Sequence, residues 1–491
     1  MQESEIRTHY SGAIIFIAKL ITVATGIIFT VIVLNSLSES DYGAMGAFLN
    51  IIIPYFTILS GPITFWTMRF AARNKEGATK TSIVGNLGVS VIATLVYFAA
   101  LPIFTTSQQL AKYLLVYLVA AAQIVETYLI GAFEADLQAR RPHFVGYGLL
   151  IGEIMKVLFV YFLVAKLQWG LLGAMASLTV AFATKMAFYF KLVLEELKQK
   201  IVFAYMKEWL KGSVFTLYNV VGNQIAVIVF VMLVYYGGTT GYGYYYASSQ
   251  IASIIAYSTF LAFALTPKLL ADPNIDEVTA SLKYVLMFAI PMTAGVLTIP
   301  NSYLLFLKEN GELTIATPIL IILAIDALVS TISTIWTYVL YGIEKVDEKA
   351  EIPFKQVARS RLFIAFSLPY IHSAITLPIT FYALTNLAGS NLVLIAMYVT
   401  GINLAARSIS FLILYTLMRE DIKIRIPWKN IGKYVVASAI MALVLFLAHP
   451  VSRLSTILFT GIGAIIYVTV LIIADEETRK LAHAVMKAIG R

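Results

Sequence analysis

Seven ionisable residues of this sequence stand inside long apolar stretches. The bases are Lys19, Lys156, Lys185 and Arg407, and the acids are Glu126, Glu153 and Asp326. Residues 14–29, IIFIAKLITVATGIIF, show the pattern plainly, because Lys19 is the one charge in the run. A charge at the centre of a membrane helix costs about 2.5–3.5 kcal/mol on insertion scales. Residues that bear this cost face a wet cavity, a water path or a partner. Bases so placed can hold an anion. Acids so placed can bind a proton or a cation, or pair with the bases.

Each residue has a plain alternative. Glu153 precedes Lys156 by three residues, on one helix face, so the two can form a structural ion pair. Lys185 lies close to the end of its apolar run and is expected to extend its ammonium to water. For Lys19, reaching water and lining a cavity are equally open. Arg407 is deep in its run with no acid nearby in sequence, and a cavity is expected. Polar residues at helical spacing support a wet interior: Asp326, Ser330, Ser333 and Thr337; Ser213, Thr216, Asn219 and Asn223; Lys19, Thr22 and Gly26. Hydrogen bonding between helices is the alternative reading of such stripes.

The elements that must position these residues follow from composition. The 491 residues are 59% hydrophobic and 13% charged, with mean hydropathy +0.83. Soluble domains carry about 25% charged residues. Apolar runs long enough to cross roughly 30 Å of hydrocarbon recur throughout. They predict an all-α polytopic membrane protein with about fourteen spans: 11–35, 44–66, 83–104, 113–133, 144–165, 170–190, 212–236, 243–266, 283–306, 314–341, 360–385, 391–418, 433–449 and 454–474. The first run is too long for the apolar core of a signal peptide and is read as a retained helix. Proline pairs Pro54/Pro62, Pro291/Pro300 and Pro369/Pro378 are expected to break spans 2, 9 and 11. The glycine-rich string GGTTGYGYYY at 237–246 reads as an outer turn.

Of 36 lysines and arginines, 28 fall in the termini and one set of connections, while the opposite set holds only Lys112, Lys166, Lys308 and Arg453. Basic residues collect on the cytoplasmic side, so both termini are expected there. The net charge of +9 has the same cause, and nucleic acid is not implied. There is no cysteine, hence no disulfide or thiolate metal site. HExxH, GxxxxGK[ST] and GxSxG motifs are all missing, and His372 stands alone in its run. No metal, cofactor or enzymatic reaction is expected.

The chain also repeats itself. Asp41-Tyr42-Gly43 matches Gly241-Tyr242-Gly243, TMRFAA from Thr67 matches TPKLLA from Thr266, and YLIGAFE ending at Glu134 matches VLYGIE ending at Glu344. These matches predict two parallel six-helix repeats over 1–211 and 212–432, with two further helices and a tail over 433–491. Transporters place substrate at the interface of such repeats.

The stretch NSLSESDYGAMGAFLNI after span 1, with the fourteen-span plan and duplicated halves, resembles the polysaccharide transporter branch of the MOP flippase superfamily. The resemblance implies a V-shaped bundle that moves a polyprenyl-(pyro)phosphate-linked oligosaccharide to the outer leaflet of the plasma membrane. It implies a basic central cavity that meets the lipid phosphate, and spans 13 and 14 grooved for the lipid tail. Lys19 occupies the place in span 1 where such a base is expected. Lys156, Arg407, Asn219 and Asn223 are the other candidate cavity residues. Glu126, Glu153 and Asp326 are candidates for coupling to H+ or Na+, or for ion pairs. The alternative is a multidrug or organic-cation antiporter of the same superfamily, which needs acids to dominate its cleft.

Overall fold

The computed structural model describes residues 18, 21–105, 107–262, 265, 269, 274–343, 361–387, 389, 391–421, 426–475, 478 and 479. Lys19, and with it the first part of span 1, lies outside them. Among the described residues the chain is helical throughout, with no strand. We number the helices α1 (Ile21–Ser36), α2 (Glu39–Phe56), α3 (Ser60–Ala72), α4 (Ala78–Phe104), α5 (Ser107–Arg140), α6 (His143–Lys166), α7 (Gly170–Leu192) and α8 (Phe203–Gly212). There follow α9 (Val214–Ala256), α10 (Ile275–Thr298), α11 (Pro300–Leu307), α12 (Thr317–Ile343), α13 (Arg361–Asn386), α14 (Leu392–Asp421), α15 (Trp428–Ala448) and α16 (Arg453–Ala474).

Among the described residues, eleven helices are long and apolar enough to cross a membrane, or twelve if the bent pair α2–α3 is one span. One of these segments is 47 residues long and holds spans 7 and 8. It folds back at Gly238, whose φ of 64° no other residue type adopts cheaply. The rings of Phe230 and Tyr245 lie 4.8 Å apart across this fold, whereas fifteen residues of straight helix would separate them by roughly 22 Å. The reversal is confined to Gly238, and the rest of the stretch expected as a turn is helical. With the shorter apolar helix α1, these segments account for all fourteen expected spans. Ile92, Leu95, Ile465 and Ile473 point outward and are exposed, as side chains facing lipid must be.

Prolines act less uniformly than their spacing suggests. Span 2 bends by 64° between α2 and α3, after a π-turn over Phe48–Ile52 that precedes Pro54. The orphan carbonyl of Phe56 at that break accepts the Tyr128 hydroxyl at 3.0 Å. Span 9 breaks at Ile299, before Pro300, but α10 runs straight through Pro291. Proline has no N–H, so Pro291 leaves the carbonyl of Met287 unpaired in its helix. The Tyr467 hydroxyl fills it at 2.6 Å. Likewise α13 runs unbroken through Pro369 and Pro378, correcting the break expected there. At Pro291 a tertiary donor restores the lost backbone bond, so proline need not end a membrane helix.

The chain divides into two compact units, Met1–Val227 and Ile228–Arg491. In the first, α5 packs on α3, α4 and α7, and α7 packs on α6. Its core joins Ile130, Phe133 and Leu137 to Tyr189 and Val193. Gly148 makes this possible, because a Cβ there would lie 2.1 Å from the Tyr189 ring. In the second unit, α12 packs on α14 and α10, α10 on α15, and α15 on α16. Its core runs from Val285 and Leu286 through Trp336 and Val339 to Tyr434, Met441 and Leu445. At the end of α16, burial alone would raise the Asp475 carboxyl. Hydrogen bonds from Lys433 Nζ (2.8 Å) and from the Thr478 hydroxyl and N–H (2.7 and 3.0 Å) outweigh it and hold the group below its usual range.

Two outcomes follow. Gly148→Ala is expected to cost about 1–3 kcal/mol, the usual range for overpacking, and to lower the midpoint of thermal unfolding in detergent. Adding Tyr189→Leu should recover part of the loss. The Asp475 network, with its depressed folded-state value, stabilises at pH above the unfolded value of about 3.9. That contribution is lost as pH falls through the folded value. Asp475→Asn should therefore lower the midpoint at neutral pH and remove this part of the acid sensitivity.

Candidate functional site

Each unit buries charged side chains within its membrane helices, and Lys156, Lys185 and Arg407 each have an acid beside them. On α6, Lys156 pairs with Glu153 three residues away, and the Thr25 hydroxyl of α1 donates to the same Glu153 oxygen. Both charged side chains are 13% exposed, and Lys156 Nζ sits 5.9 Å from the Phe29 ring centroid. The structural ion pair read from their spacing is formed. On α7, Lys185 does not extend to water as expected. It pairs with Glu134 of α5 at 2.6 Å and is 12% exposed. Its stem runs past Gly152 of α6, and Glu134 also accepts the Tyr189 hydroxyl at 3.0 Å.

Glu126, also on α5, is 7% exposed, and its Oε2 has no hydrogen-bond partner. Asn219 and Asn223 share one face of α9, where the Asn223 amide donates to the Asn219 carbonyl and side-chain oxygens at 3.0 and 3.2 Å. Ser213, expected on the same wet stripe, is buried instead. It accepts the Trp66 indole N–H at 3.1 Å and donates to the Trp209 carbonyl at 2.6 Å. The spacing was right, but α8 ends at Gly212 and Ser213 is its cap rather than part of α9.

The second unit gathers a larger polar group from four helices. Arg407 Nε of α14 donates to Asp326 Oδ1 of α12 at 2.7 Å, and its Nη1 donates to the Ser330 hydroxyl at 3.1 Å. The Arg407 side chain is 38% exposed and that of Asp326 14%. One turn before Arg407, Asn403 Oδ1 lies 3.1 Å from His372 Nε2 of α13. The Asn403 amide is committed to the Val399 carbonyl at 2.9 Å. That leaves the Asn403 oxygen to accept from the histidine. Tyr245, in the second half of α9, lies within electrostatic reach of both Asp326 and Arg407. Ser333 and Thr337, further along the α12 stripe, bond to their own helix backbone.

Sequence spacing thus placed Asp326 and Ser330 on one face but did not give Arg407 its acid, 81 residues away. It also missed Thr25, Tyr245 and the His372–Asn403 bond. Asn403 was legible in principle, since it precedes Arg407 by four residues and shares its face.

No protein-family model matches the sequence, nor does any curated protein. Solved structures do match. The lipid II flippase MurJ, in an inward closed conformation, aligns with TM-score 0.69 and 16% identity over 94% of this chain and 99% of that one. An inward-facing multidrug resistance MATE family transporter of the MOP superfamily aligns with TM-score 0.60 and 11% identity over 82% of this chain and 95% of that one. A MATE protein in complex with MaL6 gives 0.53 and 13% over 83% and 95%. The chain shares the fold of these structures. Two of its ion pairs join different helices: Lys185 of α7 with Glu134 of α5, and Arg407 of α14 with Asp326 of α12.

The Lys156–Glu153 pair should behave as structure. Glu153→Ala strands a buried ammonium and is expected to destabilise the protein by about 3–5 kcal/mol. Glu153→Gln with Lys156→Met should cost much less. Denaturant titration of the reconstituted protein tests this, and a double variant no more stable than the single one refutes it.

Proposed function

We propose that this protein is a flippase. It carries a polyprenyl-(pyro)phosphate-linked oligosaccharide from the cytoplasmic to the outer leaflet of the plasma membrane by alternating access. The reading is carried by the breadth of the fold match. The lipid II flippase covers 94% of the chain and the MATE transporter 82%, a difference comparable in length to the last two spans with their loops. Those two spans are the ones assigned to the lipid tail.

The physical problem such a protein solves is the headgroup. A bare phosphate in hydrocarbon faces a cost of tens of kcal/mol. A hydrated cleft with a base in it removes most of that barrier while the tail stays among lipids. Arg407 is the base best suited, because a guanidinium grips phosphate through two parallel hydrogen bonds. Lys19 is assigned the same task on span 1, with Asn219 and Asn223 meeting the sugar. Lys156, tied up by Glu153 and Thr25, has a weaker claim than its position first suggested. Coupling to H+ or Na+ would fall to an acid, Asp326 or Glu126. The bias of basic residues puts both termini in the cytoplasm.

The antiporter alternative rests on Glu126, whose Oε2 is unpartnered. At 7% exposure, however, that carboxyl is walled off from any organic cation.

Proteoliposomes loaded with a fluorescent polyprenyl diphosphate oligosaccharide provide the test. Lys19→Ala combined with Arg407→Ala is expected to abolish flipping. Adding Asp326→Asn restores charge neutrality, so it should recover stability without recovering transport. Full flipping in the first variant refutes the assignment. Stronger binding of a cationic dye than of the lipid-linked glycan favours the antiporter.

A further inference from the structure

The three described membrane bases differ in how free they are. Lys156 is locked to an acid on its own helix, and Lys185 sits at 12% exposure between Glu134 and the Gly152 backbone. Arg407 is 38% exposed, and only its Nε and Nη1 are engaged. A guanidinium has five N–H donors, so its Nη2 edge remains open to an anion. Yet its one positive charge is already cancelled by Asp326 at 2.7 Å.

This arrangement presents a difficulty and an opportunity. A phosphate that seats on Arg407 must compete with Asp326 for the same charge, so the pair weakens substrate binding. A competing acid in a substrate site needs a compensating use. Alternating access supplies one. After the substrate leaves, the empty protein must return, and a bare guanidinium would then cross the barrier state unpaired, which is the costly case for a buried charge.

We infer that Asp326 is a built-in counter-anion, which takes the place of the substrate phosphate on Arg407 during the return of the empty transporter. This rests on the flippase reading above. Loaded, the guanidinium faces phosphate and Asp326 turns to the hydrated cleft. Empty, it faces Asp326. It is never left unpaired while the protein reorients. Ser330 completes the empty state by accepting from Nη1. A histidine is neutral or cationic, so His372, bonded to Asn403, cannot replace the carboxylate as a counter-charge. Asp326 is thus a positioning residue that sets affinity and turnover in opposite directions.

The test separates net flipping from exchange. Asp326→Asn is compared with the wild type in vesicles holding a polyprenyl diphosphate N-acetylglucosamine, in one leaflet for net flipping and in both for exchange. Exchange uses only the loaded protein, whereas net flipping needs the empty return. The variant should bind the probe at least about tenfold more tightly, because the competing state is gone. It should lose far more of net flipping than of exchange, so that the ratio of the two rates falls at least about tenfold. Asp326→Glu should restore net flipping.

The chain has no cysteine, so one introduced cysteine carrying a fluorophore can report reorientation directly. Without substrate, Asp326→Asn should be held in one state, and Asp326→Asn with Arg407→Gln should move again. Should Asp326→Asn not fold, Asp326→Ser, which keeps a hydrogen-bond acceptor for Nε, takes its place. Weaker binding, or exchange slowed as much as net flipping, would show Asp326 to be merely structural and overturn the inference. A folded wild-type protein that neither binds nor exchanges the probe overturns the flippase reading itself, and the inference with it.

Discussion

Hydrocarbon cannot screen a charge or hydrate a carbonyl, and most features of this protein answer that constraint. Each described base within the spans has a carboxylate at ion-pair distance: Lys156 with Glu153, Lys185 with Glu134, Arg407 with Asp326. The same rule governs the backbone. Where Pro291 removes a donor, Tyr467 supplies one to Met287. Where α2 ends before α3, Tyr128 supplies one to Phe56. Each correction comes from a distant part of the sequence. The cost of an unmet polar group in lipid therefore fixes tertiary contacts as well as local ones.

The constraint also acts on the segments whose sequences match. Tyr42 and Tyr242, from the matching Tyr-Gly pairs, are both fully buried. Two ion pairs each join different helices, but at different depths. Lys185 and Glu134 lie close to the helix ends, and Arg407 and Asp326 lie well inside them.

Much of this was legible without coordinates, because hydrophobic length is a local property. All fourteen apolar runs correspond to helices or parts of helices, and the Glu153–Lys156 pair followed from a spacing of three. What stayed hidden depends on packing. The acid beside Arg407 lies 81 residues away, and spacing cannot report it. Lys185 was expected to reach water, but Gly152 opens a path for its stem toward Glu134. Ser213 fitted a polar stripe but caps α8 and meets the Trp66 indole. Proline statistics do not say which helix a neighbouring tyrosine will mend. Lys19, the residue that first suggested a basic cavity, lies outside the described residues and keeps its role as a proposal.

The contrast between Lys156 and Arg407 shows how two similar pairs differ in kind. Glu153 and Lys156 sit three residues apart on α6, so their separation is set by one helical turn. Pulling them apart means unwinding that turn. Asp326 and Arg407 sit on different helices, and a small displacement of α14 against α12 opens their 2.7 Å contact with every backbone bond intact. Greater exposure points the same way, because water or a ligand can reach Arg407 at 38% but hardly Lys156 at 13%. A pair within one helix can only stabilise. A pair across two helices that is partly open to water can stabilise one arrangement and release its charge in another.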